Sequence, residues 1–217
     1  MKKPALLLLA VLVGLCVVTA PSFAQFKMKI GPATGFNFNI HSGSDLQESG
    51  NGIGLMIGGE ADMSFSPTIG LLARLVFYDN MSGGYSQSGT DQYYGNWSQD
   101  VSASVGYFTI DALFKFNLPK SKFFFVGGPS FGINEESSYE VTTKIQGYQD
   151  QKAKGSLKDT KARFALKLGS GYDIPIAHKI EISPFATFSL GLTDVVSDVK
   201  WKIISIHAGA SVKFEVL

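Results

Sequence analysis

Three observations in the 217-residue sequence predict an all-β fold, an eight-stranded antiparallel up-and-down transmembrane β-barrel with three long and one short extracellular loops. Apolar residues recur at every second position over runs of roughly ten residues, which is the signature of a strand with two unlike faces. The joints between these runs alternate between short and long. The positions opposite the apolar rows carry more charge than a closed soluble core could hold.

The last run shows the pattern most plainly. Ile204, Ile206, Ala208, Ala210, Val212, Phe214 and Val216 alternate with Ser205, His207, Gly209, Ser211, Lys213 and Glu215. A sandwich strand covers about five or six residues, whereas a tilted membrane-crossing strand needs about nine to eleven. Residues 200–217 have the longer measure. The same reading gives strands at 26–40, 52–65, 68–78, 101–116, 122–133, 161–172 and 179–192. Their apolar rows are led by Phe36 and Phe38, Ile53 and Leu55, Leu71 and Leu75, Phe108 and Phe114, Phe123 and Phe125, Phe164 and Leu166, and Ile182 and Phe188. An even count returns both ends to one side of the membrane.

Short joints lie at Ser66-Pro67, at 117–121 and at 173–178, with proline where no ladder partner is needed. The other joints are 41–51, 79–100, 134–160 and 193–199, and the first three are rich in Gly, Ser, Asp, Gln and Tyr. Short periplasmic turns and long outer loops are the expected assignment. Within 134–160, the alternation from Tyr139 to Ile145 predicts a β-ribbon rising above the membrane.

Lys29, Asn37, Asn39, Glu60, Asp62, Arg74, Asp111, Lys115, Arg163, Lys167, Glu181, Lys213 and Glu215 share the other parity. With the apolar face against lipid, these side chains point into a lumen that eight strands leave just wide enough to be filled. Glycines of the same parity leave room for long charged neighbours, so no open pore is expected. Glu60, Arg74, Asp111, Asp62, Lys115, Arg163, Lys167 and Glu181 form the predicted lumen charge network. Counting from the short-turn end puts Glu60, Arg74 and Asp111 at one height, with Arg74 donating to both carboxylates and Lys213 near the rim.

Lys2 and Lys3, the apolar run from Ala5 to Val18 and the small residues up to Ala24 predict a secretory signal, exported through the Sec pathway and cleaved after Ala24. Domain 1–24 is then removed, and 25–217 is a single barrel domain for the cell outer membrane. Cys16 leaves with the signal, so the mature chain has no disulfide. Without Lys2 and Lys3, the 19 basic residues become 17 against 18 acidic ones, a net charge near −1 that gives no nucleic-acid footprint.

Gly31-x-x-x-Gly35-x-Asn37, the strand from Phe108 to Phe116 and Phe123-Phe-Phe-Val-Gly-Gly-Pro129 resemble motifs of the small porin-like outer-membrane β-barrels common in Bacteroidota and related bacteria. Asp111 stands where members commonly have proline. The resemblance covers the mature chain and implies architecture rather than an activity. His207-x-Gly209-x-x-Val212-x-Phe214 resembles the C-terminal insertion signal of such barrels, although three residues follow the aromatic. The expected partners are outer-membrane lipid and lipopolysaccharide, the barrel-assembly machinery during insertion, and an extracellular ligand. The expected state is a monomer.

No cofactor, metal or catalytic site is predicted. His41 (outer loop), His178 (short turn) and His207 (lumen) share no metal-ligand spacing. Ser205 and His207 are two apart on one strand face, nearly 7 Å at about 3.3 Å per residue, which disfavours a Ser–His pair. Lys200 and Lys202 carry lipid-facing parity at the outer end of the last strand. Tyr85, Tyr93, Tyr94 and Trp97 are the candidate recognition residues of the second outer loop, against the alternative that they pack the loop or sit at headgroup level. The expected function is a non-enzymatic structural or surface-recognition role. The alternatives are a narrow or gated pore and, below it, a lipopolysaccharide-modifying enzyme.

Overall fold

A computed structural model describes residues 26–46, 48–91, 95–145 and 147–217. The proposed signal segment with Cys16, and Tyr93 and Tyr94, lie outside the described residues. The strands are β1 (Lys27–Ser42), β2 (Gly50–Ser64), β3 (Ile69–Asp91), β4 (Gly95–Asn117), β5 (Phe123–Ile145), β6 (Gln151–Ser156), β7 (Arg163–Tyr172), β8 (Ile174–Ala177), β9 (Ile180–Gly191) and β10 (Lys202–Glu215).

Antiparallel neighbours run β1-β2-β3-β4-β5-β7-β9-β10, and β10 pairs back onto β1, so eight strands close the wall. Closure leaves no exposed edge within the barrel. The two short strands are accessory. β6 pairs β5 beyond the barrel, and β8 pairs the start of β9 at the short-turn end. Among the described residues no helix is long and apolar enough to cross a membrane.

The outward side carries the apolar rows: Phe36, Ile53, Phe77, Phe114, Phe164, Leu168, Phe188 and Ile206 are all exposed. The inward side buries Glu60, Asp62, Arg74, Asp111, Lys115, Arg163, Lys167 and Lys213. That inversion of the soluble pattern suits a strand wall with lipid outside and a filled polar lumen inside.

Two boundaries differ from those expected. Residues 79–91 and 95–100 are strand rather than loop, because β3 continues to Asp91 and β4 begins at Gly95, paired residue by residue from Asp79 with Tyr107 to Asp91 with Gly95. β5 likewise runs on to Ile145, as the alternation after Tyr139 implied. Irregularities between Val76 and Asp79 and between Val105 and Tyr107 mark where the wall passes from barrel to ribbon. Each insertion shifts the register without turning the buried row outward, since Val76, Asp79 and Met81 are all fully buried.

Gly35 and Gly209 face each other across β1 and β10. A Cβ at Gly209 would strike Thr34 Oand the ring of Phe185, so the close approach of these strands and a lumen aromatic requires glycine there.

Candidate functional site

The lumen is filled in layers from one end to the other. At the short-turn end Lys213 Nζ lies 2.7 Å from Asp62, 3.0 Å from Asp173, 3.2 Å from Glu181 and 3.9 Å from Glu60. Lys115 pairs with Asp62 at 2.6 Å and Asp173 at 2.8 Å, and Lys29 closes the cluster on Glu181 at 2.6 Å. Lys213 is therefore not a rim residue but the fully buried centre of the cluster. Asp173, expected in a turn, sends its carboxylate inward, where it also accepts from Ser183 Oγ at 2.6 Å.

The carboxylates of Asp62, Asp173 and Glu181 come close enough together to suit a cation. The Lys213 ammonium already lies within 3.2 Å of all three and supplies that positive charge.

The next layer holds Glu60, Arg74 and Asp111, which stand directly opposite one another in register. Their common height is as expected, but Arg74 does not bridge the two acids. Its Nε and Nη2 both donate to Glu60 Oε2, at 3.0 and 2.6 Å. Asp111 instead accepts from Lys167 Nζ at 2.8 Å. Arg74 lies over the ring of Phe185, 3.9 Å from its centroid, and Lys115 lies 4.1 Å from that of Phe124. These inward aromatics occupy space that the sequence reading assigned to long charged side chains, and each adds a cation–π contact.

Above them Asp79 accepts from Asn37 at 2.9 Å and Thr109 at 3.0 Å, and Asn37 in turn accepts from Asn39. His207 is fully buried with its Nε2 3.7 Å from Asp79. Among the described residues neither of its ring nitrogens has a direct hydrogen-bond partner. Ser205 donates to Asn39 Oδ1 at 2.7 Å, so no Ser–His bond forms. Among the described residues Arg163 joins no ion pair; its Nη2 donates to Ser189 at 2.9 Å.

An apolar plug closes the long-loop end. Met81, Val105, Tyr107, Val195, Trp201 and Ile203 form one buried cluster, backed by Leu46, Leu157, Val196 and Val199. The shortest outer joint, 193–199, folds in to build it and is tied down by Lys161 N to Val195 O and Val195 N to Trp201 O, both 2.8 Å. His41 ends this way too. It sits in β1 rather than an outer loop, buried against Trp201 with ring centroids 5.5 Å apart. The run Val195-Val196 with Val199, apolar in a supposed surface loop and followed by Trp201, is the signal that could have revealed the plug.

Beyond the plug, β3, β4, β5 and β6 stand up as a four-stranded sheet. Its axis-facing side carries Tyr85 opposite Val101 and Trp97 opposite Ile145. Trp97 packs on Gly89, where a Cβ would sit 3.0 Å from the indole. Gln87 donates to Gln99 at 2.6 Å across the same face. Of the insertion-signal residues, Val212 and Phe214 lie on the outward side of β10, whereas His207 points inward. His178 is exposed in the turn after β8.

Residues 23–197 match the family described as outer membrane protein beta-barrel domain. No curated protein matches the chain. Among solved structures, the outer membrane protein AlkL in DMPC lipid bilayers shares the fold at a TM-score of 0.50 and 9% identity, covering 91% of this chain and 93% of that one. Ail, the attachment invasion locus protein of Yersinia pestis, aligns at a TM-score of 0.42 and 11% identity, over 86% of this chain and 98% of that one.

Proposed function

The chain belongs to the outer membrane protein beta-barrel domain family, and from that premise we propose that it works as a closed, non-enzymatic surface protein whose raised sheet recognises an extracellular ligand. It is an integral barrel of the outer membrane. The observation that carries the proposal is the contrast between its two ends. The lumen is packed with paired charges and capped by apolar side chains, whereas three strands of 23 residues each run far past the length a membrane requires.

Beyond the barrel, among the described residues, β6 forms an outer edge of the sheet whose backbone groups can pair with an extended segment of a partner. Export by a signal cleaved after Ala24, insertion through the signal His207-x-Gly209-x-x-Val212-x-Phe214 and the monomeric state belong to the same reading.

The test is ligand capture by the folded barrel against a variant in which residues 83–103 and 138–156 are replaced by short turns. The reading expects partners held by the full-length chain to be lost from the shortened barrel while its heat-resistant folded band persists. Equal capture by both would remove the sheet from the function.

A further inference from the structure

One row on the outward side of the raised sheet places a serine on each of its four strands, all in register. Ser82 of β3 faces Ser104 of β4, Ser104 faces Ser138 of β5, and Ser138 faces Ser156 of β6. The next row outward is Gly84, Ser102, Glu140 and Lys154. A concavity of about 1150 Å³ opens along these rows. There Lys154 pairs with Glu140 at 2.8 Å, which neutralises the two charges of the second row.

This face continues the lipid-facing side of the barrel. On β4 the outward parity runs without a break from Phe114 and Ile110 through Phe108 to Ser104 and Ser102. Asn80 joins the two zones. Its Oδ1 accepts from Ser82 at 3.0 Å and Ser104 at 2.9 Å, and its Nδ2 donates to the Tyr78 hydroxyl at 3.1 Å. Ser82 lies four residues beyond the exposed Tyr78, roughly 13 Å at about 3.3 Å per residue. Tyrosines of this kind mark headgroup level, so the serine rows stand beside whatever rises from the outer leaflet.

We propose that this serine-lined face docks the sugar headgroup of an outer-leaflet glycolipid. Its continuity with the lipid belt puts a glycolipid within reach without any soluble encounter. Its chemistry suits a polyhydroxyl: Ser82 and Ser104, whose protons go to Asn80, offer acceptor lone pairs, the Ser138 and Ser156 hydroxyls can donate and accept, and the second row's lysine is already paired with an acid. Phosphate recognition would call for free cations in the same rows. The inference goes beyond ligand recognition by the sheet edge and does not depend on it.

The experiment uses the full-length barrel in phospholipid nanodiscs supplied with a rough lipopolysaccharide bearing core sugars, or with lipid A lacking them. The glycolipid retained per barrel is measured. Wild type is expected to retain the sugared form in preference to lipid A. The S104V/S138V variant should lower retention of the sugared form by about fivefold or more, the scale of a lost hydrogen bond or two, and leave lipid A retention unchanged. The S104T/S138T variant keeps the hydroxyls and should retain the wild-type preference. Folding of each variant is checked by its heat-resistant band. Should the valine variant fail to fold, a photo-crosslinker at the exposed Lys152, on the same side of β6 as Lys154 and Ser156, with all four serines intact, must capture the sugared glycolipid. Retention unaffected by the valines, equal retention of lipid A by wild type, or no capture at Lys152 would overturn the proposal. Equal binding of soluble core oligosaccharide to barrels without glycolipid would assign the face to a free glycan and overturn it too.

Discussion

At the scale of single residues, the lumen sets the order of importance. Lys213 touches Asp62, Asp173 and Glu181, whereas Arg74 serves Glu60 alone. Removing one member of a buried charge set costs about 3–5 kcal/mol, because the partners are left unpaired. Lys213→Met is therefore expected to destabilise the barrel at least as much as Arg74→Met, reversing the order that a rim position would give. Glu60→Gln with Arg74→Met should recover part of the single-mutant loss. Urea unfolding in lipid vesicles measures both, and a near-neutral Lys213→Met would contradict the cluster.

Phe214 is outward on β10 opposite Ile30 and Ile180, and Leu217 lies past the strand end. Phe214→Ala should reduce the heat-resistant folded fraction more than Leu217→Ala; the opposite ranking would move the insertion signal to the last residue. In the first outer loop, the Lys200 amide donates to Asp45 and holds its carboxyl below the ordinary value. A depressed carboxylate stabilises above its ordinary pKa and stops doing so as pH falls through the folded value. Exchange of the Lys200 amide, corrected for the intrinsic rate, should rise below about pH 4 in wild type and stay level in Asp45→Asn.

Parity made Glu60, Arg74, Asp111 and Lys167 legible as inward residues, because period two leaves each side chain only two directions. It could not say which acid each cation would choose. That depends on reach across the barrel, where Lys167 of β7 takes Asp111 of β4. Asp79 and Asp173 were missed because each sits at the end of a regular alternation, where loop chemistry and strand chemistry look alike. Phe124 and Phe185 were hidden among neighbouring aromatics of the outward row.

At the scale of elements, barrel strands were visible and their outer halves were not. Residues 79–100 are rich in Ser, Gly, Gln and Tyr, a composition that reads as loop because neither face needs an apolar row above the membrane. Pairing across β3 and β4 supplies the order that hydrophobicity does not. Orientation of this ribbon is testable: cysteines at the exposed Ser88 and Lys152 should react with an impermeant thiol reagent on intact cells, and one at Ser66 should not. The reverse labelling would invert the topology. The plug is the second element not foreseen, since 193–199 was assigned as the short outer loop. Its burial of Val195 depends on Trp201 from the start of the final run.

At the scale of the whole molecule, the proposed function rests on closure in two senses. Eight strands close the wall, and charge layers with an apolar cap close the bore. The measurement that bears most directly on this is planar-bilayer conductance of the folded barrel, made with wild type and with a Val195→Ser/Trp201→Ser variant that loosens the cap. The account predicts no reproducible conductance steps from wild type. It predicts none from the variant either, because Arg74, Lys167 and Lys213 with their acids still fill the bore beneath. Steps of fixed size from the wild-type barrel would contradict it and make the protein a pore.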